Sequence, residues 1–209
     1  MLLYYITDRK AFGGTEAEQQ AAVLRRIGEA AAAGVDYVQL REKDLPSRQL
    51  ERLAQEAVLA VREHSAATKL LINGRSDVAL ACGADGVQLA AGELRASHVR
   101  ELWRKCGREP IIGASAHSVA DVRKAEVEGA DFALLAPIFE KVQVGAKGIG
   151  LDVLREACER QGPFVVLALG GVDLKNAPNC VSAGAAGVAG IRLFQGGDVA
   201  RTVKRLRKL

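Results

Sequence analysis

The 209-residue sequence predicts an α/β fold, a parallel (β/α)8 TIM barrel formed as a single domain over residues 1–209. The first sign is a phrase that recurs four times: a helix-ending glycine, a small or acidic residue, then an apolar strand. Its copies are Gly34-Val35-Asp36-Tyr37-Val38, Gly83-Ala84-Asp85-Gly86-Val87, Gly129-Ala130-Asp131-Phe132-Ala133 and Gly184-Ala185-Ala186-Gly187-Val188. The spacing is about 50 residues, two minimal strand-plus-helix units, which marks an internal βα repeat. The second sign is that short apolar runs alternate with longer stretches of helical periodicity. The third is that the runs are apolar at successive positions, as strands covered on both faces must be. An open doubly wound sheet is disfavoured because no Gly-x-Gly-x-x-Gly opens the first helix; Gly13-Gly14 is an ordinary loop signal.

Taken in order, the strands are expected at Leu2–Thr7, Tyr37–Arg41, Lys69–Asn73, Gly86–Leu89, Ile111–Ser115, Phe132–Ala136, Phe164–Leu169 and Gly187–Ile191. The helices between them are expected at Thr15–Ala33, Ser47–His64, Ser76–Cys82, Ala96–Cys106, Ser118–Glu128, Leu151–Gln161, Leu174–Ala183 and Val199–Leu206. Ser47 and Ser118 are placed to cap their helices. In the last helix Val203, Leu206 and Leu209 recur at helical spacing, which predicts one buried stripe. The five cations of that segment, Arg201, Lys204, Arg205, Arg207 and Lys208, then form a solvated face.

A composition of 49% hydrophobic and 26% charged residues excludes disordered and collagen-like chains. No apolar run reaches the roughly 18–20 residues that span a bilayer. The start, Met1 to Asp8, lacks the basic lead of a secretory signal, so a cytoplasmic protein without a membrane partner is expected. Cys82, Cys106, Cys158 and Cys180 form no Cys-x-x-Cys pair and are expected as reduced, mostly buried thiols. His64, His98 and His117 have no metal-ligand spacing. A net charge of +4 with 4% aromatic residues offers no stacking platform for nucleic acid.

In such a barrel the chemistry lies at the C-terminal strand ends. Those ends carry Asp8; Gln39, Arg41 and Lys43; Asn73 and Arg75; Gln88 and then Glu93; Ser115 and His117; Glu140; Gly170 and Gly171; Gly190 and Arg192. Gln39, Arg41 and Lys43 alternate, so they face one way, and beside Asn73 and Arg75 they make a polyanion site. The alternative is that Arg41 and Lys43 pair with Glu42 or Asp44. Gly170-Gly171 and Gly190 leave backbone N–H groups open to a phosphate; the alternative is a pair of plain tight turns. Ser115 and His117 lack an orienting carboxylate, which argues against a hydrolase triad. Among the carboxylates Glu93 is the best placed to meet a metal-bound phosphate.

These residues resemble the thiamin phosphate synthase and TenI family over almost the whole chain. The resemblance rests on Tyr5-Ile6-Thr7-Asp8, Val38-Gln39-Leu40-Arg41-Glu42-Lys43-Asp44, Ile72-Asn73-x-Arg75, Gly83-Ala84-Asp85-Gly86-Val87, Ile112-Gly113-x-Ser115-x-His117-Ser118, Pro137-Ile138-Phe139 and Gly170-Gly171-Val172. It implies the same barrel, and small phosphorylated pyrimidine and thiazole substrates. In the synthase, Mg²⁺-bound hydroxymethylpyrimidine diphosphate loses pyrophosphate and the thiazole nitrogen captures the resulting cation. The resemblance places Gln39, Arg41, Lys43 and Asn73 at the diphosphate, Ser115 at a hydroxyl-bearing position and Gly171 at the thiazole phosphate.

The sequence also departs from that pattern. Gly74 stands where the synthase has a metal-binding aspartate, Glu93 occupies the second acidic position, and Gln88 replaces a histidine. Glu140-Lys141-Val142-Gln143 replaces a threonine-rich loop, with Lys147 as a substitute cation, and Arg192 replaces a phosphate-binding serine. The proton-transfer histidine of the TenI branch aligns with Pro137, which would leave acid–base work to Glu140 or His117. The expected catalytic residues are Arg41, Lys43, Ser115 and Glu140. Substrate binding falls to Gln39, Asn73, Arg75, Gln88, Lys147, Gly170, Gly171, Gly190 and Arg192, with Mg²⁺ on Glu93. A synthase leads. A TenI-like thiazole tautomerase or thiazole-phosphate binder and a non-enzymatic regulatory barrel are the alternatives, the last using the basic tail to hold a partner. A homo-oligomer is compatible with all three.

Overall fold

The apolar runs form eight parallel strands that pair in sequence order, with β8 closing on β1. The strands are β1 (Leu2–Ile6), β2 (Tyr37–Leu40), β3 (Lys69–Asn73), β4 (Gly86–Leu89), β5 (Ile111–Ala116), β6 (Phe132–Leu135), β7 (Val165–Leu169) and β8 (Gly187–Gly190). The helices are α1 (Glu16–Ala33), α2 (Ser47–His64), α3 (Ser76–Cys82), α4 (Ala96–Lys105), α5 (Val119–Val127), α6 (Leu151–Arg160), α7 (Ala177–Ser182), α8 (Arg192–Gln195) and α9 (Val199–Leu206). This computed structural model describes residues 1–92, 94–140, 147–160 (without the Arg160 side chain) and 164–209. Among them no helix is long and apolar enough to cross a membrane.

The recurring phrase has a structural cause. The glycines Gly34, Gly83, Gly129 and Gly184 all have positive φ, between 74° and 95°, and turn each helix back into a strand. The aspartate that follows accepts a hydrogen bond from a backbone N–H of the preceding strand. Asp36 takes Leu3 N at 2.7 Å, Asp85 takes Leu70 N at 2.8 Å and Asp131 takes Ile112 N at 2.7 Å. In the fourth copy Ala186 keeps only the backbone part of the pattern, accepting from Leu2 N and donating to Val166 O. These aspartates lie at the N-terminal strand ends and are scaffold, away from the mouth.

Several local expectations are corrected. Pro46, not Ser47, takes the α2 cap position and no side chain caps that helix; the Ser47 hydroxyl accepts from Arg75 instead. Ser118 caps α5 as expected, accepting from Asp121 N, and Thr15 caps α1 in a reciprocal pair with Glu18. The last expected strand stops at Gly190, and the short helix α8 follows it. The expected helix from Leu174 begins only at Ala177, because Asp173 and Asn176 tie residues 173–176 into a turn. Of the four thiols only Cys180 is buried; Cys82 and Cys158 are half-buried and Cys106 is exposed. Burial raises the pKa of the Cys158 and Cys180 thiols to about 11.

Helix α9 buries Val199, Thr202, Val203 and Leu206. Arg207 donates to the carbonyls of Met1 and Gly34 and to Asp36, so this part of the basic segment fastens the barrel. Inside the barrel Tyr4, Tyr37 and Phe132 form a ring cluster with centroid separations of 5.2–5.7 Å. Gly113 makes room beside it, since a Cβ there would stand 2.6 Å from the Phe132 ring and 2.2 Å from Gln88 Oε1. The barrel is filled by these side chains, and the open space that concerns function lies at its C-terminal mouth.

Candidate functional site

The segment after β2 shows why arginine, glutamate, lysine and aspartate alternate there. Glu42 and Asp44 turn to Arg9, an arginine only 2% exposed. Arg9 Nη1 lies 3.1 Å from Glu42 Oε2 and 2.7 Å from Asp44 Oδ1, and its Nε lies 2.7 Å from Glu16 Oε1. The Arg9 backbone N–H and the Thr7 hydroxyl also donate to Glu42, and Thr7 Oγ1 accepts from Arg41 N. Three carboxylates around one buried guanidinium satisfy its fork. Arg9, then Lys10, bonds Asp44 and holds its carboxyl far below the usual range. The consequence falls on Arg41 and Lys43. Their neighbouring carboxylates are taken, and neither cation has an ion-pair partner among the described residues.

The floor of the mouth is polar and buried. Gln39 Nε2 donates to Tyr4 Oη, the Tyr4 hydroxyl donates to Gln88 Oε1, and Gln88 Nε2 donates to Ser115 Oγ. Burial pushes the Tyr4 hydroxyl well above its ordinary pKa, against a smaller lowering from Gln39, so it stays neutral. Asn73 ends β3 in register with Gln88. Gly74 follows with φ 67°, a left-handed position. Arg75 departs from the expected grouping: Nε and Nη2 bind Asp77 at 2.8 and 2.6 Å and Nη1 donates to Ser47. Its guanidinium is pinned at the rim toward α2 and α3.

On the opposite side of the mouth, β7 and β8 end around a cavity of about 340 Å³. Gly170, Gly171, Gly190 and Arg192 line it together with Asp8, Leu169, Val172, Ile191 and Leu193. Gly171 has φ 68°, and an added Cβ would come within 2.8 Å of the Phe139 Cβ. Asn176 Nδ2 holds the Gly171 carbonyl at 2.9 Å. The wall toward β1 is fastened by Gln195, whose Oε1 accepts from Asp8 N and the Tyr5 hydroxyl and whose Nε2 donates to Asp8 O. Glu140 and Lys147 are exposed at the end of β6, where Gly148 lets the returning chain close on Ile138–Glu140. His117 Nδ1 lies 2.8 Å from the Ala136 carbonyl, which leaves Nε2 as the nitrogen open to a proton.

Glu93 and residues 141–146 lie outside the described residues. Among the described residues no group of three Asp, Glu, His or Cys side chains is placed to hold a metal ion. Asn73, Gly74 and Gln88 supply no carboxylate, and Glu42 and Asp44 are bound to Arg9. Of these described positions none has a carboxylate left over for a divalent cation.

A sequence model of the thiamine monophosphate synthase family matches residues 3–194. The chain belongs to that family. It is 41% identical over 193 residues to a putative thiamine-phosphate synthase 2 of Aquifex aeolicus, covering 92% of this chain and 96% of that one. It is likewise 41% identical to a putative thiamine-phosphate synthase of Geobacter sulfurreducens, over 90% of this chain and 83% of that one. The solved thiamine phosphate pyrophosphorylase of Pyrococcus furiosus superposes with a TM-score of 0.82 at 30% identity, covering 99% and 94% of the two chains. Within the family frame, sequence reasoning missed Thr7, Arg9, Tyr4 and Gln195. Arg9 was detectable only as a charged residue three positions past the end of β1, with three carboxylates at fixed distances along the chain.

Proposed function

We propose that the chain is a thiamin phosphate synthase-type transferase acting on hydroxymethylpyrimidine diphosphate and thiazole phosphate. One observation carries the reading: two elements suited to anions stand at the C-terminal strand ends of one barrel. Arg41 and Lys43 follow β2 without ion-pair partners among the described residues, and the glycine-lined cavity with Arg192 lies where β7 and β8 end, with β1 between β8 and β2. Two phosphorylated substrates need two such places.

In this reaction the bond from the pyrimidine methylene carbon to the diphosphate oxygen breaks, and pyrophosphate leaves with the electron pair. The thiazole nitrogen lone pair then forms the new C–N bond. Arg41 and Lys43 stabilise the charge gathering on the leaving group, with Asn73 as a neutral donor. Gly170, Gly171, Gly190 and Arg192 hold the thiazole phosphate, and Gln39, Gln88 and Ser115 face the ring region from the floor. Glu93 is the proposed place for Mg²⁺. Glu140, beside Gly171, and Lys147, both exposed, are proposed at the edge of the second substrate.

A TenI-like isomerisation is the second reading. It draws on His117, which reaches the residue before Pro137 from the neighbouring strand and presents Nε2 as a base. Isothermal titration with hydroxymethylpyrimidine diphosphate, with and without Mg²⁺, and separately with thiazole phosphate, tests both readings when pyrophosphate release is followed on mixing. Binding of both with turnover supports the transferase, and the paired titrations measure any requirement for the cation. Binding of thiazole phosphate alone moves the protein to the second reading.

A further inference from the structure

The side chains on the floor form one directional chain of hydrogen bonds. Gln39 Nε2 is 3.3 Å from Tyr4 Oη, Tyr4 Oη is 3.1 Å from Gln88 Oε1, and Gln88 Nε2 is 3.3 Å from Ser115 Oγ. Such a chain admits two opposite senses, because amides turn over and hydroxyls rotate. Leu89 breaks the symmetry. Its carbonyl oxygen lies 3.5 Å from Gln88 Nε2, so a turned Gln88 amide would set two oxygens against each other. With Gln88 fixed, its Oε1 must be met by the Tyr4 proton, and Tyr4 Oη must then accept from Gln39.

We infer that Tyr4 and Gln88 are positioning residues that fix the hydrogen-bonding polarity of the mouth. Gln39 is left with Oε1 as an acceptor on the β2 side, beside its second amide N–H, and Ser115 is left with its hydroxyl proton as a donor on the β5 side, beside one lone pair. Neither atom has a partner among the described residues. The ligand edge that fits carries an N–H or O–H toward β2 and a lone pair toward β5. An edge of reversed polarity leaves Gln39 Oε1 and the Ser115 proton unmet. The inference rests on the reading of this mouth as the substrate site, but the sense of the chain is a property of the protein alone.

Neutron diffraction from hydrogen-exchanged crystals of the full chain tests the sense directly. Expected are a deuteron on Tyr4 directed at Gln88, the Gln88 amide deuterons directed at Ser115 and Leu89 O, and the Ser115 deuteron directed away from Gln88. A Tyr4 deuteron on Gln39 overturns the inference whatever the substrate is. Tyr4→Phe tests the positioning role through the ¹⁵N-labelled side-chain amides. The Gln39 pair shifts or broadens while the Gln88 pair, held by Ser115 and Leu89, stays; an unmoved Gln39 pair removes Tyr4 from the role. In titrations of the same variant, inorganic pyrophosphate binds as in the wild type, while hydroxymethylpyrimidine diphosphate weakens by about tenfold, the scale of one lost oriented hydrogen bond. Equal weakening of both probes means Tyr4 acts through the fold alone. A wild type that binds the two probes equally sinks the substrate reading, whereas the neutron result stands apart from it.

Discussion

Under the proposed function the two sides of the mouth solve the same problem with different parts. After β2, anion recognition is assigned to side chains, Arg41 and Lys43, mounted on a segment whose alternate residues are locked to buried Arg9. After β7 and β8 it is assigned to backbone turns at Gly170, Gly171 and Gly190, with Arg192 beside them. The first side is a cluster of charges whose geometry depends on ionic contacts beneath the surface. The second is a shape, and it depends on what is absent from the Cα atoms. Substitutions should therefore act by different routes on the two sides.

The largest effect is expected at the foundation of the first side. Arg9→Met leaves Glu42, itself 5% exposed, without its cation, and the cost of an uncompensated buried charge is about 3–5 kcal/mol. Urea unfolding measures it; a loss below about 1 kcal/mol would show that Glu42 finds water or another partner. Next comes the side chain that Arg9 presents. Arg41→Ala should weaken diphosphate binding by about 1.5–3 kcal/mol with little change in stability, and unchanged affinity by titration takes Arg41 out of the site.

On the backbone side, Gly171→Ala places a Cβ at φ 68° against Phe139, with strain and overpacking of about 1–3 kcal/mol. Thiazole phosphate affinity should fall with it while diphosphate affinity holds. If both affinities fall together, the two sides are not independent. The smallest effect belongs to Arg75→Ala. Its guanidinium is committed to Asp77 and Ser47, an exposed arrangement worth less than about 1 kcal/mol. A large loss of diphosphate affinity in that variant would return Arg75 to the anion site.

The same contrast explains what could be read from the chain. Barrel topology was legible because glycine turns, aspartates and apolar runs repeat, and period is a property of sequence. The purpose of the aspartates was not legible, since capping the preceding strand depends on strand neighbours that exist only in the closed barrel. Arg41 and Lys43 were singled out by alternation, but whether Glu42 and Asp44 neutralised them turned on Arg9, some 30 residues earlier by the separations of 33 and 35. Arg75 was grouped with the anion site by its position at a strand end, and an exposed aspartate two residues on drew it away. The helix α8 was hidden because four residues carry no periodicity.

Gln195 sets the terms on which a ligand enters the second side. One side-chain oxygen receives both the Tyr5 hydroxyl and the Asp8 N–H, and the same amide returns a donor to the Asp8 carbonyl. The β1 wall and the α8 wall of the cavity are thus cross-linked before any ligand arrives, and spreading them breaks three hydrogen bonds at once. At the proposed site an anion would meet a preformed receptor at little cost in protein freedom, and should associate in a single kinetic phase that quickens as ionic strength falls.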